Sequence, residues 1–322
     1  MPRDVTLFAL IGLTALALGG LPARAGAQSS AIPALPTPKF SGYVQVRESV
    51  APGTGLSAAL NRARLIVDGA LPSRFAYRVA VEYEVAGTGA TAATVSLRDA
   101  FVRWSLAPWS VTAGQFKTPF SREYITSITT IETAERSGVV NALAPKRDIG
   151  VMGEVARGTD ASLAVGVFNG EGQNAAANRD STLLVVSRLT LRPISQLGVS
   201  GDLAAYGPDS TRYGGELVLE QSGLALRGEY FEQWRDLANQ RDRGWFGVAT
   251  CRIVPWLQLV TKEEAYEHPV AKGTVTQRAT TFGANAELPG GRVRFVLDAI
   301  DRRQERPPAR QTLWIAQLQA RL

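Results

Sequence analysis

Segments of roughly ten residues, with apolar side chains on one parity and polar ones on the other, recur along almost the whole of this 322-residue chain. Successive side chains of a strand point to opposite faces, so each segment is a ribbon with one apolar and one polar side. Hardly any stretch shows a helical period, and the pattern predicts an all-β barrel or sandwich. Parity and turn residues place strands near 39–49, 59–71, 74–85, 95–106, 109–117, 147–157, 161–169, 181–192, 196–206, 211–221, 224–233, 243–253, 256–266, 277–288, 291–301 and 311–322. That makes sixteen, an even number. One stretch, Thr118 to Lys146, carries no strand pattern and interrupts the series after the fifth strand.

The connections sort by rim. After even-numbered strands they are tight, as at Pro72-Ser73, Ala107-Pro108 and Ser222-Gly223. After odd-numbered strands they are longer and polar, as at Ala51 to Gly55, Gly170 to Asn174 and Trp234 to Asp236, with the turn after Tyr206 as an exception. Short turns at one rim and long loops at the other suit a transmembrane β-barrel. Phe75, Tyr77, Val79, Val81 and Tyr83 share one face, against Arg78, Glu82 and Glu84 on the other. In a membrane barrel the charged face lines a polar lumen; in a soluble sandwich it faces water and the apolar face forms the core. A secreted soluble β protein acting as a ligand- or surface-binding module is therefore the alternative reading. The last strand places Trp314, Ala316, Leu318, Ala320 and Leu322 on one face. Trp104, Trp109, Tyr230, Trp256 and Tyr266 fall near strand ends, where interfacial aromatics belong.

Arg3, the uncharged apolar run Val5 to Leu18 and the small residues of Ala23 to Ala27 have the layout of a secretory signal peptide, expected over residues 1–27. Residues 28–38 form a Pro-rich periplasmic lead-in, and the barrel is expected over 39–322. Cys251 is the one cysteine, so no internal disulfide forms, and stability must come from burial and closed backbone pairing. The chain is basic, with 35 Lys and Arg against 29 Asp and Glu, yet its basic residues form no run longer than a pair, as at Arg302-Arg303. An exported chain of this kind is read as meeting small anions rather than nucleic acid. The one histidine, His268, is expected in an outer loop with no nucleophile beside it, and one Cys with one His gives no metal-ligand spacing. Neither an enzyme nor a cofactor site is expected. Gly170-Glu171-Gly172 lacks the helix and lysine of a phosphate loop.

The residues bordering the strandless stretch carry a further signal. Gly114-Gln115-Phe116-Lys117-Thr118-Pro119-Phe120 leads in, followed by Ile131-Glu132 and Glu135-Arg136-Ser137. The exit is Pro145-Lys146-Arg147-Asp148-Ile149-Gly150-Val151, with Val165 to Gly172 shortly after. This resembles the phosphate-selective porin O/P family of bacterial outer membranes. The resemblance implies a sixteen-stranded, homotrimeric, anion-preferring channel whose third loop folds inward to narrow the pore. On that basis 118–146 is the expected constriction loop. Lys117, Arg122, Arg136, Lys146 and Arg147, with Arg62 and Arg64 on the second strand, are the candidate anion path. Glu132 and Glu135 are candidates for tethering the loop. Around the loop five cations stand against four anions (Glu123, Glu132, Glu135 and Asp148), a balance that predicts only weak to moderate anion or phosphate preference. Lys117 is expected to pair with Glu132 or Glu135, and Ser127 to Arg136 to form a short helix with Ile128 and Ile131 packed on the barrel. The partners expected are small anions such as phosphate and outer-membrane lipid.

Overall fold

A computed structural model describes residues 36–322 except 54, 86–91, 236–239 and 272. The expected signal peptide and residues 28–35 of the lead-in lie outside the described residues. The strands are β1 (Lys39–Ala51), β2 (Gly55–Leu71), β3 (Phe75–Val85), β4 (Ala93–Leu106), β5 (Trp109–Lys117), β6 (Arg147–Arg157), β7 (Ala161–Phe168) and β8 (Leu184–Ile194). They continue as β9 (Leu197–Tyr206), β10 (Ser210–Gln221), β11 (Leu224–Arg235), β12 (Gln240–Val254), β13 (Leu257–Val270), β14 (Gly273–Glu287), β15 (Val293–Gln304) and β16 (Ala309–Arg321). Each pairs antiparallel with its neighbours in sequence, and β16 returns to β1 from Tyr43↔Arg321 to Val50↔Trp314. The sheet closes as a sixteen-stranded barrel with no free edge.

Burial decides between the two readings of the alternation. In β15, Phe295 and Leu297 are exposed while Arg294, Val296 and Asp298 are buried. In β16, Trp314 and Leu318 are exposed while Ile315, Gln317 and Gln319 are buried. Exposed apolar residues recur on the same parity in strand after strand, so the outer wall is apolar and the polar face points inward. A soluble sandwich would invert this. Trp109, Tyr230 and Trp256 are exposed on the outer wall. Tyr266 differs from the expectation: its Oη donates to Asp242 at 3.3 Å and its ring stacks on His268 with centroids 5.1 Å apart.

Three other readings change. His268 lies within β13, paired with Val275, because β13 and β14 extend to Val270 and from Gly273. That extension shrinks the connection after β13, so the rim contrast rests chiefly on the connections after β5 and β7. Finally, two β-bulges shift parity. The β1–β2 register passes from Gln45↔Arg62 to Val46↔Leu60, and the β3–β4 register from Ala80↔Asp99 to Val81↔Leu97. Asn61 and Arg98 are the extra residues. Arg98 reaches Glu82 and Glu84 while Arg103 packs over Phe101, so two arginines of opposite sequence parity share the inner side.

Candidate functional site

The strandless stretch begins where β5 ends, and its entry motif has a backbone cause. Gly114 sits at φ 127°, and a Cβ there would meet the Ala100 carbonyl oxygen at 2.2 Å. Only glycine fits that close approach. The exit motif is a brace: Asp148 accepts from the backbone N–H of Ile149 and Gly170, each at 2.7 Å, and Asn169 N–H donates to the Ile149 carbonyl at 3.0 Å. Gly150 allows the same closeness, since a Cβ there would lie 2.2 Å from the Val167 carbonyl.

Between these ends run two short helices, α1 (Arg122–Ile125) and α2 (Gly138–Leu143). The helix expected over Ser127 to Arg136 is absent: that stretch is turns and bends. Its own amides take the Ser127 carbonyl, to which Thr130 and Ile131 N–H donate, while several of the carbonyls that follow are taken by wall side chains. Arg294 donates to the Thr129 and Ile131 carbonyls at 3.1 and 2.9 Å, and Asn285 to Glu132 at 2.8 Å. Gln319 and Arg321 both reach the Thr129 carbonyl, at 3.1 and 2.9 Å. Arg47 donates to Ala134 and Arg212 to Leu143. Ile128 and Ile131 pack with Tyr43 of β1.

The amides of the segment are met by carboxylates. Asp202 accepts from Ser121 at 2.9 Å, and Glu229 from Arg122 and Glu123 at 3.0 and 2.8 Å. Asp298 accepts from Ala134 at 2.7 Å and Glu264 from Gly138 at 3.1 Å. Each such hydrogen bond contributes about 0.5–1.5 kcal/mol, and more where the acceptor is ionised. Apolar packing adds to this: Phe120 stacks on Phe231 with centroids 5.6 Å apart, and Val139, Val140 and Leu143 join Phe246 and Val248 in one buried cluster.

The expected pairing of Lys117 with Glu132 or Glu135 does not form. Lys117 Nζ donates to the carbonyls of Tyr124, Ile125 and Thr126 at 2.8, 3.1 and 2.9 Å, which uses all three ammonium protons. Arg136 donates to the carbonyls of Glu123 and Thr126, and both cations lie 5.5 Å from the Tyr124 ring centroid. The two therefore hold the turn after α1. Arg122 pairs with Glu132 at 3.3 Å and with Glu216 at 3.2 Å. Glu132 also meets Arg227 at 2.8 Å. Glu135 meets Arg47 at 2.5 Å and Arg62 at 3.4 Å. From there an alternating run continues through Arg62–Glu84, Arg98–Glu84, Arg98–Glu82 and Arg64–Glu82. Arg147 is bound to Asp99 at 2.8 Å, and Lys146 is exposed.

Two carboxylates of the segment titrate in opposite directions. Burial pushes Glu123 up, and the 4.0 Å Lys262 contact with the Ser137 N–H bond only partly offsets this. Burial also acts on Glu135, but Arg62 and Arg47 outweigh it and hold its carboxyl down at about 2.

A cavity of about 460 Å³ lies beside the segment, toward the rim of short turns. Arg64, Arg78, Arg103, Lys117, Arg147 and Arg321 line it, with Asp99 the one acidic side chain among the lining residues. Arg103 and Arg321 escaped the sequence reading. The bulge at Arg98 scrambled the parity that would have placed Arg103, and Arg321 sits one residue from the chain end.

Among solved structures, the anion-selective porin from Comamonas acidovorans is 13% identical, with TM-score 0.64 over 89% of this chain and 99% of that one. The OmpT loop L8 deletion mutant of Vibrio cholerae is 11% identical, with TM-score 0.65 over 89% and 99%. Salmonella typhi OmpF, in complex with daunomycin, is 11% identical, with TM-score 0.64 over 88% and 97%. At these identities the likeness concerns the fold. No match was found among curated protein sequences. Residues 46–228, more than half of the chain, match the family of phosphate-selective porins O and P. The chain therefore belongs to the phosphate-selective porin O and P family and is a channel of the bacterial outer membrane rather than an enzyme.

Proposed function

We propose that the chain is a diffusion channel for small hydrophilic solutes with a weak to moderate preference for anions, phosphate among them. In this reading segment 118–146 folds into the lumen and sets the narrowest passage, so that solutes are sorted by pore size and wall charge. Contacts from β1, β2, β9, β10, β11 and β13 to β16 support that placement, because inner-face side chains reach the segment from around the ring.

The anion preference rests on the cation-lined cavity. Asp99, Glu82, Asp68 and Glu287 each bind one of its six cations, leaving Arg103 and Lys117 without a carboxylate partner among the described residues. A surplus of that size supports a bias between anions and cations, not exclusion of either. Glu132 and Glu135 act in this proposal as tethers of the loop. Family membership supports assembly as a homotrimer, to be checked by cross-linking. Export through a cleaved signal predicts a mature N-terminus at Gly26 or Gln28.

The test is the zero-current potential of the mature protein in a planar bilayer under a potassium chloride gradient. The expected sign is that of chloride passing a few-fold more readily than potassium; a potential of the opposite sign would sink the proposal.

A further inference from the structure

We propose that the cation-lined cavity is a binding station for small organic anions that carry a compact apolar body, such as aromatic carboxylates, in preference to bare inorganic anions. The inference rests on the diffusion-channel reading and names its favoured solute class.

A wall built for a bare oxyanion would present polar groups on every side. This one does not: Ile66, Phe101, Phe116, Ile125 and Met152 line the same cavity as the cations. Phe116 and Met152 are buried beneath the surface, whereas Ile66 and Phe101 are part-exposed and Ile125 is 39% exposed. The other isoleucines nearby in the segment, Ile128 and Ile131, are buried against Tyr43. Ile125 also lines an adjoining cavity of about 250 Å³, shared with Arg122, Arg188 and Arg227, so it stands where the two spaces meet. An isoleucine kept in contact with a polar passage offers a solute an apolar surface.

The charged end of such a solute has a distinct receiver. Arg103 Nε donates to Thr112 Oγ1 at 2.9 Å, and its two terminal nitrogens have no hydrogen-bond partner among the described residues. Its guanidinium carbon lies 5.9 Å from the Phe101 ring centroid. The planar fork that matches a carboxylate bidentately is thus presented beside an aromatic face. Lys117 contributes field alone, since its three protons are committed to carbonyls. At about 460 Å³ the cavity falls in the size range of small-molecule sites and exceeds what phosphate needs.

The experiment measures block of chloride current through the mature channel by benzoate, acetate and inorganic phosphate, each titrated at constant ionic strength. Benzoate should halve the current at a concentration at least about tenfold below that of acetate or phosphate, the extra binding coming from its ring. Ile125→Ser, at an exposed position, should raise the benzoate half-blocking concentration several-fold and leave acetate unchanged. Arg103→Gln should weaken benzoate and acetate together. Equal potency of benzoate and acetate, or tightest block by phosphate, overturns the proposal in the unmodified protein without recourse to a variant. A cation-preferring zero-current potential would overturn the channel's anion preference itself, and is read separately.

Discussion

The segment between β5 and β6 has two edges that use the same residue types differently. Toward β9 to β16 the wall's charges are spent on backbone: Asp202, Glu229, Glu264 and Asp298 take its amides, while Arg212, Arg294 and Arg321 take its carbonyls. Toward β2 to β6 cations line open space, and Arg103 has no carboxylate partner among the described residues. Arginines on the inner parity thus have different partners according to whether the segment's main chain lies against them, and Arg321, which meets the Thr129 carbonyl and also lines the cavity, stands at the boundary. Counting charges cannot separate the two cases.

The strongest way to break this division is Arg294→Ala on the anchored edge. It would take the donor from the buried Ile131 carbonyl and one of the three donors from the Thr129 carbonyl, which keeps Gln319 and Arg321. A loss of about 3 kcal/mol is expected, seen as a lower temperature for loss of the heat-resistant folded band in detergent gels and as frequent current flicker. Arg147→Ala should act on the open edge. Asp99 would then stand alone in the cavity, and the chloride-to-potassium permeability ratio should fall several-fold while the flicker stays unchanged. If each variant moved both readouts equally, the two edges would not be functionally distinct.

Acid sharpens the comparison. Glu135 has a folded pKa of about 2, below its unfolded value, so its contribution is fully present above the ordinary carboxylate range. That contribution is lost as pH falls toward 2. Its ties to Arg47 and Arg62 should thus hold at pH 4, whereas Glu135→Gln should weaken them at neutral pH, measured as flicker across pH 7 to 4. Glu123 runs the other way: its raised pKa means stability is lost as pH rises through its folded value. Glu123→Gln keeps an acceptor for Ser137 N–H and removes a buried charge, so the smallest effect is expected, within about 1 kcal/mol of the parent.

The strands were readable because alternation is a local property, and burial showed which face was which. Two limits were physical. A bulge adds one residue and reverses every later inference from parity, which is why Arg98 and Arg103 looked opposed. The segment's shape depends on partners far along the chain, such as Asp298 for Ala134, and no local period records them. Hence its borders, fixed by Gly114 and Asp148, were legible, while its turns, its two helices and the partners of Lys117 were not.

The closing pair of strands carries one more consequence. Arg47 of β1 reaches Ala134 and Glu135, and Gln319 and Arg321 of β16 reach Thr129, so the two strands that close the ring are both fastened to the segment. Gln45 also donates to Gln319 across that junction at 2.8 Å. In the proposed channel the segment is a clasp as well as a filter. To part the ring at its seam, the clasp must first let go, so the stretch proposed to govern passage also sets how hard the cylinder is to unzip.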